Sequence, residues 1–479
     1  MSVGSIRPVW SGLALIGGLL ALAGCEVGPK YRAPALPRGA AAPLVSRDTR
    51  LETSAAPPSA WWRLYSDPRL DRLIQEALAA NRDLAAAEAN LTAAQAVVSA
   101  LGAERLPSTE TIAGGAYGRD PVTQEILELN RRPPATLWLF HDVFEAAYEV
   151  DLFGRIHRAI EAARANSESV AAARDAVRVV VVAGTAREYA AICALGEEID
   201  VAHRSLDIVS HEASITLQRQ QVGGGSELDV ERAQAVVSQV RATIPELEGA
   251  REAALFELTA LLGRTPAYAP REVEACVVPP RLVALIPIGD GRMLIQRRPD
   301  VRQAERQLAA ATAEIGVATA DLYPTIQLSG FVGGAATQVS QLGSDAARIW
   351  GVGPSISWNF PNQVGARARV RQARASRAAA LASFDSVVLR ALKETEQALV
   401  AYRSALAQRQ ALADAQARIR HAFRIARSEY QAGALSMIDL LTTEQSLVAV
   451  DAAVASSDTD LIQDQIAVFK ALGGGWQRG

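Results

Sequence analysis

The sequence predicts a mainly α-helical protein, built from two tandem repeats and carrying a small β part whose strands are long enough to cross a membrane. The composition is the first reason: 49% of the 479 residues are hydrophobic but only 5% are aromatic, so the apolar mass is mostly alanine, leucine and valine. That composition is typical of long packed helices. The second reason is an internal repeat, and the third is a pair of strand-like segments at the same place in each repeat. The formal net charge is −3, so no basic patch indicates a nucleic-acid partner.

Residues 1–24 are predicted to form a lipoprotein signal peptide, which is kept apart from the fold. Arg7 precedes a short apolar run, and Leu22-Ala23-Gly24-Cys25 has the form of a lipobox. The run is shorter than the roughly 20 residues of a membrane helix. Cys25 is therefore expected to carry acyl chains, several of which together give a firm anchor, and Glu26 after it favours the outer membrane. An ordinary secretory signal with a chance cysteine is the alternative.

The rest of the chain is a tandem duplication. The segment ANRDLAAAEANL (80–91) matches RRPDVRQAERQL (297–308), and QVGGGSELDV (221–230) matches QAGALSMIDL (431–440). The two matches have different offsets, so one region inside the repeat varies in length. The predicted organisation is an N-terminal arm at 25–68, repeat 1 at 69–264, a linker at 265–292, repeat 2 at 293–472 and a C-terminal tail at 473–479.

Each repeat contains two segments with strand character, separated by a loop. TIQLSGF in repeat 2 alternates apolar and polar residues, as a strand with one wet face does. The predicted strands are about as long as the 9–11 residues that a tilted strand needs to cross a bilayer. Four strands are too few to close a barrel, and an open sheet edge finds no partner in lipid, so several copies of the chain are expected to share one barrel. The strands are expected at about 107–119, 138–153, 324–336 and 349–361.

The remaining part of each repeat predicts a long helical hairpin. The first long helix contains no proline and two interior glycines, and its length would be about 100 Å at 1.5 Å per residue. Ser226 and Ser436 are the expected N-caps of the return helices, with Asp229 and Asp439 three residues later. Long helix, tip and return helix are expected at 155–221, 222–226 and 227–262 in repeat 1 and at 363–431, 432–436 and 437–472 in repeat 2.

Two cysteines remain besides Cys25. Cys193 and Cys276 both lie in apolar segments, and a buried free thiol is the expected state of each. A disulfide between them is the alternative, because export would bring them into an oxidising compartment, while the sequence does not fix the distance between them.

Several motifs resemble those of the outer-membrane factors, the TolC and OprM type of export duct, most closely the NodT-like lipoprotein branch. The resemblance covers essentially the whole mature chain and is carried by CEVGPKYRAP (25–34), WWRLYSDPRLDRLI (61–74), YEVDLFGR (148–155) and RRPDVRQAERQLAAATAEIGVATADLYPTIQLSG (297–330). It implies a homotrimer in the outer membrane of a Gram-negative bacterium. A twelve-stranded β-barrel would continue into a periplasmic tunnel of twelve helices, with a mixed belt formed by the arm, the linker and the tail.

The resemblance also implies a function and partners. The chain would be the passive exit duct of a tripartite efflux pump for small toxic compounds or drugs, working with a periplasmic adaptor and an inner-membrane transporter of the resistance-nodulation-division class. The exit duct of a type I protein secretion system is the alternative within the family, and a lipid-anchored coiled-coil scaffold is the alternative outside it. No cofactor is expected apart from the lipid on Cys25, and no nucleic-acid partner.

The same resemblance assigns roles at the two tips. Asp439, Asp229 and Tyr430 would form the constriction of the pore, while Leu435 stands where some members carry an arginine that ties the tip shut. Three copies of Asp439 at about 8 Å would repel one another by roughly 2 kcal/mol per pair at an effective dielectric of 20, and they would attract cations. The alternative for both aspartates is a solvated acid that complements the helix dipole.

The turns themselves are expected to meet the adaptor. Gly223, Gly224 and Gly433 allow tight or left-handed backbone, and Ala434 leaves a small surface for another helix tip to approach. The alternative is that these residues only make good turns.

An enzyme is not expected. The five histidines are scattered, and His203 and His211 are eight positions apart, not the four of a zinc-binding helix. The sequence contains no GxSxG elbow, no Walker loop and no CxxC pair.

Overall fold

The computed structural model describes residues 26–48, 50–119, 121–282 and 285–476. The predicted signal peptide and the predicted lipid attachment at Cys25 therefore lie outside the described residues. The chain divides into two compact units. The first contains residues up to 34, 92–169 and 304–383, and the second contains residues 35–91, 170–303 and 384–479.

The fold is mostly helical with a small amount of sheet, as predicted. The helices are α1 (Pro68–Ala80), α2 (Arg82–Ala103), α3 (Pro121–Leu129), α4 (Arg155–Gln221), α5 (Glu227–Leu261), α6 (Gly291–Arg297), α7 (Pro299–Ala320), α8 (Val364–Gln431) and α9 (Met437–Ala471). The long helix α4 is continuous, as the absence of proline predicts. Helix α3, in the connection between two strands, was not expected.

The first unit contains a four-stranded antiparallel sheet. Its strands are, in spatial order, β2 (Ser108–Gly118), β3 (Leu137–Val150), β5 (Thr325–Ala336) and β6 (Arg348–Ser357). Each repeat therefore supplies one hairpin, and the two hairpins pair through β3 and β5. The strand β3 stops earlier than position 153 because the Asp151 carboxylate accepts hydrogen bonds from the backbone N–H groups of Ile156 and His157 (3.1 and 2.8 Å), which starts the next helix.

The second unit contains a short parallel pair of strands. Strand β1 (Glu52–Thr53), from the N-terminal arm, pairs with β4 (Ile286–Pro287), from the linker. Both lie near a hydrophobic core in which Trp61 stacks on Phe469 with ring centroids 4.8 Å apart. The arm and the linker are therefore fixed to the helices of this unit by sheet pairing and apolar contact.

The same backbone contacts recur at both tips. In the first tip, the N–H groups of Gly223 and Gly224 donate to the carbonyls of Gln220 and Arg219 (3.0 and 2.8 Å). In the second, Gly433 and Ala434 donate to the equivalent carbonyls (3.0 and 2.8 Å). Gly223 and Gly433 have φ of 79° and 77°, a left-handed conformation that glycine adopts without strain and that ends a helix in this hydrogen-bond pattern.

The other ends of the return helices also repeat a contact. The Asn81 side-chain amide donates to the Leu261 carbonyl at 3.0 Å, and the Arg298 guanidinium donates to the Ala471 carbonyl at 2.8 Å. Both carbonyls belong to the last turn of a helix, where no backbone partner is available. The matched motifs ANRD and RRPD therefore each supply a hydrogen-bond donor to the last turn of a return helix, α5 in repeat 1 and α9 in repeat 2.

Cys193 and Cys276 form a disulfide with a Cα–Cα distance of 4.7 Å, so the expectation of two free thiols is wrong. The linker reaches the surface of α4 because Gly196 has no side chain. A Cβ at Gly196 would lie 2.3 Å from the Cys276 carbonyl oxygen. Apolar flanking residues cannot reveal such a close approach, since it depends on how the linker crosses the helix.

Candidate functional site: the membrane-length sheet and the helix tips

One face of the sheet is apolar and open. Trp350, Val352 and Ile356 on β6 are 72%, 73% and 71% exposed. Ile356 lies opposite Ile326 and Trp350 opposite Val332 on β5, so the same face continues on the next strand. The other face is small and polar over the half nearer the start of β5, where Thr325 pairs with Ser357, Gln327 with Ser355, and Ser329 with Gly353. Phe331 and Ile349 lie further along this face. This separation is typical of a transmembrane strand with one side toward lipid and the other toward water.

Aromatic pairs lie at the strand ends. Tyr117 and Trp138 stand at the connection between β2 and β3, with ring centroids 5.4 Å apart. Near the opposite ends of the strands, Phe153 stacks on Tyr323 at 4.5 Å and Trp358 stacks on Phe360 at 4.6 Å. Aromatic rings at both ends of an apolar face match the two interfaces of a bilayer.

The two predicted constriction aspartates are the third residues of the return helices. The backbone N–H of Asp229 donates to Ser226 Oγ (3.2 Å), and the Ser226 N–H donates back to Asp229 Oδ2 (3.3 Å), which completes a capping box. The N–H of Asp439 donates to Ser436 Oγ (3.3 Å), and that hydroxyl donates to Asp439 Oδ2 (2.6 Å). The predicted caps are therefore present. In the described part of the chain, no hydrogen bond joins the two aspartates to each other.

Tyr430 holds the two tips together. Its side chain is buried, and the Arg219 guanidinium lies over its ring at 4.1 Å from the centroid. Arg219 also donates hydrogen bonds to the carbonyls of Tyr430 (3.2 Å) and Gln431 (3.5 Å). The first tip is thus tied to the second by one arginine.

The predicted docking residues lie on the surface. Gly223, Gly224, Gly433 and Ala434 are all exposed. Exposed apolar side chains stand close to them in the sequence, with Val222 at 84% and Ile438 at 52% exposure. The tips therefore present small and apolar groups to solvent.

Known proteins are similar to this chain in sequence and in fold. Residues 73–264 and 291–474 match the family described as Outer membrane efflux protein. The chain belongs to this outer membrane efflux protein family.

Individual relatives agree with that assignment. The chain is 28% identical over 458 residues to the Nodulation protein T of Rhizobium leguminosarum bv. viciae, with 95% of this chain and 92% of the relative covered. It is 29% identical over 477 residues to the probable outer membrane lipoprotein SilC of Salmonella typhimurium, with 97% and 98% covered. The solved outer-membrane channel OprN matches with a TM-score of 0.88 at 35% identity, covering 95% of this chain and 100% of that one.

The match to the efflux-protein family confirms the resemblance seen in the motifs, and the match to Nodulation protein T confirms its NodT-like character. This outer membrane efflux protein is an exit duct located in the outer membrane. Its family is one of channels and not of enzymes. Among the described residues, no group of three or more His, Cys, Asp or Glu side chains is arranged to hold a metal ion.

Sequence reasoning missed two residues of the efflux protein's tip. Arg219 supplies a guanidinium from the first repeat, whereas the family resemblance places a closing arginine at the position of Leu435 in the second repeat. Glu444 is buried on the apolar stripe formed by Leu440, Leu441 and Leu447. Glu444 could have been found from the sequence, because it is a charged residue at a core position of the helix. Nothing in the local sequence indicates that Arg219 contacts Tyr430.

Proposed function

We propose that three copies of this chain form the passive outer-membrane duct of a tripartite efflux pump that exports small toxic compounds or drugs. A periplasmic adaptor and an inner-membrane transporter of the resistance-nodulation-division class would complete the pump. The observation that carries the proposal is the four-stranded sheet of bilayer length with one open apolar face.

The sheet order supports several copies. Strands β2 and β6 are the edges, and neighbouring strands alternate in direction throughout. In lipid, both edges need partners, and β6 of one copy next to β2 of another continues the antiparallel order. Three copies would give twelve strands, enough to close a barrel.

The helices support the same assembly. Helix α2 contains a stretch that is as apolar as a membrane span, but only 17% of that stretch is buried within one chain. An exposed apolar face of this kind is suited to contact with another copy. Each copy would be divided into arm, repeat 1, linker, repeat 2 and tail at the predicted boundaries. The two helical hairpins of each copy would together give a tunnel of twelve helices.

The gate of the duct would lie at the tips. Asp439 and Asp229 would line the constriction, each with one carboxylate oxygen held by its cap serine. Tyr430 would keep the tips packed through Arg219. A ring of Asp439 carboxylates would favour cations and resist anions.

The adaptor would dock on Gly223, Gly224, Gly433 and Ala434, because these exposed small residues let another helix tip approach closely. Cys25 would carry the lipid anchor. The relative SilC is a probable outer membrane lipoprotein, which supports this assignment.

Photo-crosslinking at the tip tests the proposal. A photoreactive amino acid at Ala434 in living cells should capture an efflux adaptor, while the same residue at Ala375, exposed on the same helix α8, should not. Capture of a secretion-system adaptor would keep the duct but change the cargo to polypeptide. Capture of nothing, with the protein in the outer membrane, would contradict the docking surface.

A further inference from the structure

A carboxyl group is buried without a partner just above the second tip. Glu444, on α9, is 1% exposed, and neither of its carboxyl oxygens has a hydrogen-bond partner. Leu440, Leu441 and Leu447 on the same helix belong to a buried apolar cluster around it. An ionised carboxylate in such surroundings is costly, because its hydration is lost and nothing replaces it.

The charged groups that face Glu444 come from two other helices. Glu212, on α4, is 2% exposed. Arg427, on α8, places Nε 2.8 Å from Glu212 Oε1, an ion pair not aligned as a hydrogen bond. The fourth helix, α5, contributes apolar side chains to the cluster: Ala233, Val236, Val237 and Val240.

The charges of these three groups do not cancel if all of them are ionised. One guanidinium faces two carboxylates, and the ion pair already joins it to Glu212. Burial and, to a smaller extent, the negative charge of Glu212 raise the pKa of Glu444, Arg427 opposes them, and the result is a pKa of about 7. The arrangement therefore favours a proton on Glu444 while α9 is packed on α4.

We propose that Glu444 is the proton-binding site of the gate: it is protonated while the tip is packed, and it releases the proton to water when α9 separates from α4 as the duct opens. This inference rests on the proposed role of the tips as the gate. The contact that must open is visible below Glu444, where Thr216 Oγ1 on α4 lies 3.6 Å from Met437 Sδ on α9.

The direction of the pH effect follows from the two states. In the open state Glu444 meets water, and its pKa falls to about 4.3, the ordinary value of glutamate. The proton therefore stabilises the packed tip fully below that value, and this stabilisation is lost as the pH rises toward about 7. Between these limits the ratio of open to packed tips should rise by up to about tenfold per pH unit, and then level off.

Channel recordings test the proposal. The full-length protein is placed in planar lipid bilayers, and the open fraction is measured between pH 5 and pH 8. We expect the open fraction to rise with pH in the wild type, and to stay low and flat in Glu444→Gln, which mimics the protonated form. Glu429→Gln is the matched control because Glu429 is an exposed glutamate near the same tip, and it should keep the wild-type profile. A wild-type profile in Glu444→Gln would overturn the proposal.

A second variant and a second readout keep the outcome decisive. Glu212→Gln removes the neighbouring negative charge and frees Arg427, so its profile should shift to lower pH; an unshifted profile would count against the site. Nitroxide labels on Val222→Cys and Ile438→Cys report the tip distance directly. If no current appears at any pH, the proposed duct function fails, but the distance between the two labels still tests the proton site. A distance that lengthens with pH in the wild type but not in Glu444→Gln supports the proton site. A distance that stays constant in the wild type overturns it.

Discussion

At the scale of single residues, Arg219 joins the first tip to the second. Its guanidinium covers the Tyr430 ring and donates to two carbonyls at the end of α8. The Tyr430 carbonyl also accepts the Gly433 N–H, so Arg219 is a second donor to it, and the positive charge complements the negative end of the helix dipole. One side chain at the end of α4 thus binds the end of α8.

Replacing Arg219 by alanine should loosen the packed tip. The cation–π contact and the hydrogen bonds together contribute about 1–3 kcal/mol, so the ratio of open to packed tips in planar bilayers should rise by about 5- to 150-fold. Arg219→Lys keeps the charge but not the planar donor pair and should fall between the two. An open probability in Arg219→Ala equal to that of the wild type would show that Tyr430 is held by packing alone.

Replacing Asp439 by alanine should raise the open-channel current and weaken block by multivalent cations. The reason is the loss of three like charges from the proposed constriction, since cations are attracted to such a ring. The measurement is conductance with and without a trivalent cation. Asp414→Ala is the control, because Asp414 is an exposed aspartate about 25 Å further along α8 from its tip, at 1.5 Å per residue. Unchanged current and block in Asp439→Ala would leave only the capping role.

At the scale of elements, the two hairpins are held at both ends by repeated local devices. Each tip has a left-handed glycine and a serine cap, and each return helix ends on a side chain from the segment that begins the repeat. The disulfide has no counterpart in repeat 2, because the linker follows repeat 1. It closes a sequence separation of 83 residues between α4 and the linker.

Removing this disulfide should destabilise the protein. A cross-link over a long loop restricts the unfolded chain and typically contributes about 2–4 kcal/mol. The double variant Cys193→Ser with Cys276→Ser should therefore show a lower Tm than the wild type by circular dichroism. A reducing agent should lower the Tm of the wild type toward that of the variant and leave the variant unchanged. Equal Tm values for the two proteins under oxidising conditions would contradict a stabilising role.

At the scale of the whole molecule, a single chain leaves the sheet incomplete. Its edges β2 and β6 carry unpaired backbone groups, and its apolar face is open. Such a sheet is stable in a membrane only when the edges meet other strands. The proposed trimer follows from that requirement together with the number of strands per chain.

Cross-linking of the two edges checks the assembly. Thr111→Cys on β2 is combined in turn with cysteine at Trp350, Val352 and Pro354 on β6, because the register between copies is set only in the assembly. We expect one combination to link the chains into covalent trimers on a denaturing gel. Pairing Thr111→Cys with a cysteine at the buried Ala304 is the negative control. Dimers without trimers, or no link for any pair, would argue against closure by β2 and β6.

The sequence by itself determined what is local or periodic. The helix α4 follows from a long segment without proline, the strands from alternation and length, and the caps from serine and aspartate at fixed spacing. The repeat revealed two hairpins and two tips, and the motifs revealed the family. Each of these signals lies within a short stretch of chain, where neighbouring residues set the backbone conformation.

Only the tertiary structure decided which distant residues meet. It joined Cys193 to Cys276, placed Arg219 on Tyr430, and buried Glu444 beside Glu212. The partners in these contacts are separated by many residues, and their approach depends on how helices and linker cross. The energy of burial and charge pairing is a property of that packed arrangement, because solvent exposure and distance are fixed only when the elements come together.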